Sequence, residues 1–378
     1  MNLTICAPCH FGVEGLLADE MKRLGLRNVR AENGRVRFDG DENDLARASL
    51  WLRCAERLLI EVGSFEAPSF DALFEGVKAL PLEDFIPKDA AFPVRGHCID
   101  SKLFSEPDCQ SIIKKAVATR LSEKYHIEWF PETGETVQLR FTILKDTASI
   151  YLDTSGDGLH KRGYRPAHVA APLSETLAAA MVYLSRYRGR DDFCDPFCGS
   201  GTLPIEAALI AKNRAPGLKR RFAAEQWSCI PENVWRRARE DAPNHEFNGT
   251  YNIVGSDIDP GAVKIAQENA ARAGVSAIVR IEQADAAAFD RRTERGVLVT
   301  NPPYGERLME KSEAERLYAA FGRAYFRSEN WKLYLLSSHT EFERTFGRSA
   351  DKKRKLYNGM IKCDLYMYFG DTTAARKK

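Results

Sequence analysis

No stretch of this chain is apolar for long enough to cross a bilayer, and its opening residues MNLTICAPCHFG lack the basic patch and apolar run of an export leader. A cytoplasmic protein with no membrane partner is therefore expected. Charge of one sign is also lacking. The formal net charge is +2 over 378 residues, so attraction to a polyanion has to come from local clusters rather than from the whole field. Cysteine is present without a pattern: nine are scattered through a chain too long to need disulfide staples, which fits a reducing compartment. Cys6 and Cys9 form a lone CxxC with no second pair and no nearby His-x-x-x-His, so no metal centre is expected. With 44% hydrophobic residues, the length suits two or three domains with buried cores.

What is present centres on RGVLVTNPPYGERL at 295–308. Val297, Leu298 and Val299 read as a buried strand. Pro302 and Pro303 carry no N–H and disfavour helix in the residue before each, so the chain leaves the strand extended with carbonyls unspent. The Asn301 side-chain oxygen and the Pro302 carbonyl could accept both hydrogens of an aromatic amino group while the Tyr304 ring stacks on the base that carries it. Such a grip favours a more pyramidal nitrogen and aims its lone pair at an electrophile, without a strong base. Asn-Pro and Pro-Tyr-Gly pairs also mark ordinary surface turns.

A second motif, DFCDPFCGSGTLPIEAALI at 191–209, reads as a strand ending at Asp195, a turn and a helix beginning near Thr202. Gly199 and Gly201 allow tight turning and close backbone approach, a cradle for a nucleotide-like ligand at the carboxyl end of a strand. The turn lacks the lysine of a P-loop and the spacing GxGxxG, so neither a triphosphate nor a dinucleotide is indicated. Further on, YNIVGSDIDPGAVKIAQENAARAGV gives a strand ending at Asp257 and a helix whose N-cap is Asp259, followed by Pro260. AIVRIEQADAAAF supplies another strand, and Asn358-Gly359 joins two final strands as a hairpin.

The first 65 residues order themselves as βαββαβ, a ferredoxin-like module (1–65). Residues 66–155 follow as helix, strand, basic helix and two strands, with Arg95, Lys102, Lys114, Lys115 and Arg120 as one candidate basic face. Other cation clusters stand beside aromatics at 160–165 (His160, Arg162, Arg165), 219–222, 235–239 and 352–355, as phosphate contact with base stacking requires; solvated helix faces are the alternative. The last domain spans 160–378 and opens with a helix capped by Ser174. Residues 210–250, rich in Arg and Trp, are too long for a plain connection and read as an insertion that helps to grip substrate.

DPFCGSGT at 195–202 resembles the S-adenosyl-L-methionine turn of class I methyltransferases, NPPY at 301–304 resembles the catalytic motif of amino-methyltransferases, and residues 66–155 resemble a THUMP domain. Together they resemble the bacterial THUMP-containing methyltransferases that act on guanine N2 of 23S rRNA, often labelled N6-adenine DNA methylases. The resemblance implies a Rossmann-like α/β catalytic domain, a parallel sheet closed by an antiparallel C-terminal hairpin, behind α+β ferredoxin-like and THUMP modules. It implies S-adenosyl-L-methionine as cofactor and structured RNA, most of all 23S rRNA, as partner. It places the cofactor against Asp195, Pro196, Phe197, Gly199, Gly201, Thr202, Asp257 (ribose), Ile258, Asp285 (adenine amine), Ala286 and Asn301, and catalysis at Asn301, Pro302, Pro303 and Tyr304. RNA contact is expected at Arg95, Lys114, Lys115, His160, Arg162 and Arg165. Some members carry a second methyltransferase domain after this one; this chain ends, so only the guanine-N2 activity is implied. A tRNA guanine-N2 methyltransferase, a nucleic-acid adenine-N6 methyltransferase and a noncatalytic RNA-binding factor are the alternatives.

Overall fold

The structure, a computed structural model, describes residues 1–165, 173–290, 293–303, 311–327 and 331–370. These form two units: residues 1–9, 18–159 and 221–241 in the first, and 10–17, 160–220 and 242–378 in the second.

The N-terminal chain runs β1 (Leu3–Pro8), α1 (Glu14–Arg23), β2 (Arg27–Glu32), β3 (Arg35–Gly40), α2 (Glu42–Trp51), β4 (Leu59–Glu66), α3 (Phe70–Lys78), β5 (Val94–Ile99), α4 (Glu106–Tyr125), β6 (Leu139–Leu144) and β7 (Thr147–Asp153). Every expected element of both modules is present. The two modules nevertheless share one seven-stranded sheet, in the order β2-β3-β1-β4-β7-β6-β5. The join is the antiparallel pair β4 and β7, which runs from Leu59 opposite Asp153 to Glu66 opposite Thr147. Period-two alternation explains the core: Leu139, Phe141 and Ile143 of β6 and Ala148, Ile150 and Leu152 of β7 are buried. α2 starts on a reciprocal cap, Asp41 accepting from Asp44 N while Asp44 accepts from Asp41 N.

The second half continues with α5 (Glu175–Leu184), β8 (Asp192–Asp195), α6 (Thr202–Ala211), α7 (Glu232–Asp241), β9 (Ile253–Asp257), α8 (Pro260–Ala273), β10 (Val279–Gln283), β11 (Gly296–Thr300), α9 (Lys311–Tyr325), β12 (Trp331–Ser337), α10 (Phe342–Phe346), β13 (Lys352–Asn358) and β14 (Ile361–Tyr368). Its sheet has the order β10-β9-β8-β11-β12-β14-β13. β10 to β12 are parallel, and β14 pairs antiparallel with both β12 and β13. Gly359, at φ +62°, makes the expected hairpin turn. Central β11 is buried along its whole length, as a parallel strand covered on both faces must be. α9, α10 and the closing strands meet in an aromatic core of Tyr318, Phe321, Phe342, Phe346, Tyr366 and Tyr368.

The insertion departs from expectation. Residues 221–241 pack with the first unit, where Trp227 is 1% exposed and its indole N–H donates to Thr136 O at 3.0 Å. Trp235 stacks on Phe222, and α7 lies against α2. These aromatics are consumed by a core and are not available to a substrate.

Candidate active site

The parallel order brings the two motifs together, because β8 and β11 are neighbours with Leu298 opposite Cys194. Their carboxyl ends therefore open at the same edge, where ligands of open parallel sheets bind. Asp195 ends β8 almost fully buried, and Thr300 ends β11 fully buried. The Asp195 carboxyl accepts from Thr300 Oγ1 at 2.6 Å and from Phe197 N at 3.1 Å. Burial pushes its pKa up to about 7, against the pull of those hydrogen bonds.

The glycine turn follows at once. Cys198 N donates to Ser256 O at 2.8 Å, tying the turn to β9, and Gly199 N donates to Asp257 Oδ2 at 2.9 Å. Gly199 and Gly201 have φ of +50° and +81°, the left-handed region that favours glycine. A Cβ on Gly201 would sit 3.0 Å from Ala266 Cβ, so this glycine permits α6 and α8 to close. A Cβ on Gly199 would meet nothing within 4 Å, so there the turn faces open space. Thr202 begins α6 in a buried position.

Asp257, at the end of β9, is half-buried and also accepts from Asp259 N at 3.0 Å. Ile258 beyond it is 66% exposed, an apolar side chain held in the open beside a carboxylate. Asp259 caps α8 through Gly261 N, as expected. Asp285 is exposed and caps a short turn through Ala287 N at 2.8 Å, while Ala286 is buried. A cavity of about 320 Å³ is lined by Pro196, Ser256, Asp285 and Ala286, and it continues over the sheet to Phe289 and Trp331.

Asn301 and Pro302 follow Thr300 directly. Pro302 is buried, and Asn301 Oδ1 is buried with no hydrogen-bond partner among the described residues. A polar atom left so is costly unless a ligand completes it. Tyr304 lies outside the described residues.

The expected RNA contacts divide. Arg95 is exposed on β5, and His160 is half-buried. Lys114 pairs with Glu132 at 3.1 Å, Lys115 lies over the Phe74 ring, and Arg120 pairs with Glu83 at 2.6 Å. Arg162 is 3% exposed and sits 3.6 Å from Glu206, so its guanidinium faces the interior and does not reach RNA. Arg165 is likewise turned inward, donating to Leu173 O and Thr202 Oγ1 at 3.0 Å and pairing with Glu175 at 3.1 Å. Sequence reasoning also missed Thr300 and Asn269; the Asn269 amide is buried and holds Ser200 O at 3.0 Å. The signal for Asn269 was a polar residue on the apolar face of an amphipathic helix.

A seven-stranded sheet of this order, with a glycine turn at the end of β8 and an acidic residue at the end of its neighbour β9, defines a class I methyltransferase that uses S-adenosylmethionine. The residues fit that cofactor: the turn leaves room at Gly199, and the half-buried carboxylate of Asp257 stands beside it.

Residues 4–59 match the RlmL ferredoxin-like domain, 67–153 the THUMP domain and 162–367 the RMKL-like methyltransferase domain. The chain is 45% identical to the Bacillus subtilis (strain 168) protein named "Putative RNA methyltransferase YpsC", over 99% of this chain and 98% of that one. It is 36% identical to the ribosomal RNA large subunit methyltransferase K/L of Syntrophotalea carbinolica over 94% of this chain, and spans only 52% of that relative's length. The crystal structure of SMU.472 complexed with S-adenosylhomocysteine superposes with a TM-score of 0.92 at 40% identity, covering 98% of each chain. The chain belongs to the THUMP-containing, S-adenosylmethionine-dependent RNA methyltransferases of the RMKL-like family. Among the described residues no helix is long and apolar enough to cross a membrane, and no three metal-ligating side chains are gathered.

Proposed function

We propose that the protein methylates the exocyclic N2 of a guanine in 23S rRNA in the cytoplasm. The observation that carries this reading is the buried Oδ1 of Asn301, without a partner among the described residues, one residue beyond the Thr300–Asp195 bond that ties its strand to the cofactor turn. The rRNA preference rests on the K/L relative, whose name specifies the large-subunit RNA.

In this reading Asp257 holds the ribose, and Asp285 accepts from the adenine amine. Ile258, Ala286, Pro196 and Phe197 supply apolar walls, and Asp195, Gly199, Gly201 and Thr202 shape the methionine end. S-adenosyl-L-methionine, when bound, supplies an electrophilic methyl on a sulfonium. The base leaves its stack and enters beside Tyr304. Asn301 Oδ1 and the Pro302 carbonyl each accept one hydrogen of the amine and aim its lone pair; Pro303 keeps the segment extended. Residues 1–65, 66–155 and 160–378 act as ferredoxin-like, THUMP and catalytic domains, with Arg95, Lys114, Lys115 and His160 serving RNA where ion pairing leaves them accessible.

Mass mapping of rRNA and tRNA from cells lacking the protein tests this. One N2-methylguanosine should vanish from 23S rRNA and return with the wild-type gene. Loss of such a mark from tRNA alone, or of an N6-methyladenosine, would overturn the assignment.

A further inference from the structure

The amine-holding segment has an anchor that neither motif contains. Pro302 and Pro303 have no N–H, so this stretch cannot tie itself down by donating main-chain hydrogen bonds. It is held from its far side by Tyr318 of α9, whose hydroxyl donates to Pro303 O at 2.7 Å. Tyr318 is 1% exposed, with its ring against His339 and Phe342 at centroid distances of 5.9 and 5.2 Å. Burial pushes its phenol up to about 12, which keeps the hydroxyl a donor at every working pH.

The segment is thereby clamped at two points. Thr300 Oγ1 is fixed to Asp195 on one side of Asn301, and Pro303 O is fixed to Tyr318 on the other. Asn301 Oδ1, between them, is buried without a hydrogen-bond partner among the described residues. We infer that Tyr318 is a positioning residue for methyl transfer: by occupying the Pro303 carbonyl it sets the plane of the Pro302–Pro303 segment, so that Asn301 Oδ1 and Pro302 O converge on the incoming amine. This rests on the function proposed above.

Tyr325 provides an internal control, because it lies on the same helix and its buried hydroxyl also donates at 2.7 Å to a main-chain carbonyl, that of Trp331. The test compares Tyr318→Phe with Tyr325→Phe in the full chain, with rRNA from cells lacking the protein as substrate and rates expressed per S-adenosylhomocysteine-binding site measured by calorimetry. Losing one aligning hydrogen bond should lower kcat roughly 5- to 10-fold in Tyr318→Phe. KM for RNA and affinity for S-adenosylhomocysteine should stay at wild-type values, and Tyr325→Phe should keep wild-type kcat. Unchanged kcat in Tyr318→Phe, or equal losses in both variants, would overturn the inference. Full turnover in Asn301→Ala would instead defeat the underlying reading, so the two failures are distinguishable.

Discussion

Thr300 Oγ1 and Asp195 Oδ1, 2.6 Å apart inside the sheet, join the last residue of β11 to the last residue of β8. One bond thus links the strand that delivers Asn301 to the strand that delivers the glycine turn. The two motifs keep a fixed separation because their strands pair in register and a buried hydroxyl and a buried carboxyl join the strand ends. Phe197 N donates to the same Oδ1, so the carboxyl also shapes the first step of the turn.

Asp195 makes stability depend on pH. Its native pKa stands at about 7 against 3.8 in its ordinary state, so between those values the folded chain keeps a proton that the unfolded chain releases. The resulting stabilisation is complete below about pH 4 and is lost as pH rises through about 7, for a total on the order of 4 kcal/mol. Asp195→Asn preserves an acceptor for Thr300 but cannot titrate. Melting curves of the ligand-free proteins should show wild type losing ground to the variant from pH 4.5 to 7 and running parallel above it.

Gly201→Ala puts a side chain at φ +81° and a Cβ 3.0 Å from Ala266. The left-handed backbone alone costs about 1–2 kcal/mol, and relief requires α6 to move off α8. Chemical denaturation should register that loss, and calorimetry with S-adenosylhomocysteine should show weakened binding in the same variant.

Trp227→Ala removes a nearly fully buried indole from the first unit together with its bond to Thr136 O. A loss of about 3–5 kcal/mol is expected. S-adenosylhomocysteine affinity of the folded fraction should be unchanged, since the residue belongs to the first unit. Denaturant titration and calorimetry together check both halves.

Much of the fold was legible because its signals are local. The Asn358-Gly359 turn, the Ser174 and Asp259 caps, and the apolar run of β11 each act over a few residues, and each stands where the sequence placed it. The sharing of one sheet by the two N-terminal modules was not legible, because the pairing of β4 with β7 joins residues 59–66 to 147–153. The partners of the clustered cations were not legible for the same reason. Arg162 looks like a surface charge until Glu206 is brought to it by α6, and Arg239 reads as a phosphate contact until Glu225 pairs with it. Single members of two other basic clusters are engaged likewise: Arg220 donates to Lys161 O at 3.2 Å, and Lys353 pairs with Glu343 at 2.6 Å. At the site itself, the motif residues were visible as strings, whereas the holding roles of the Thr300 hydroxyl, just ahead of NPPY, and of the Tyr318 hydroxyl on α9 follow only from the tertiary contacts.

Asn301→Ala should be assayed for methyl transfer to rRNA from cells lacking the protein, alongside calorimetry with S-adenosylhomocysteine. The expected result is a loss of at least about 100-fold in turnover with cofactor affinity within a factor of about two of wild type. Near-normal turnover, or loss of cofactor binding and turnover together, would contradict it.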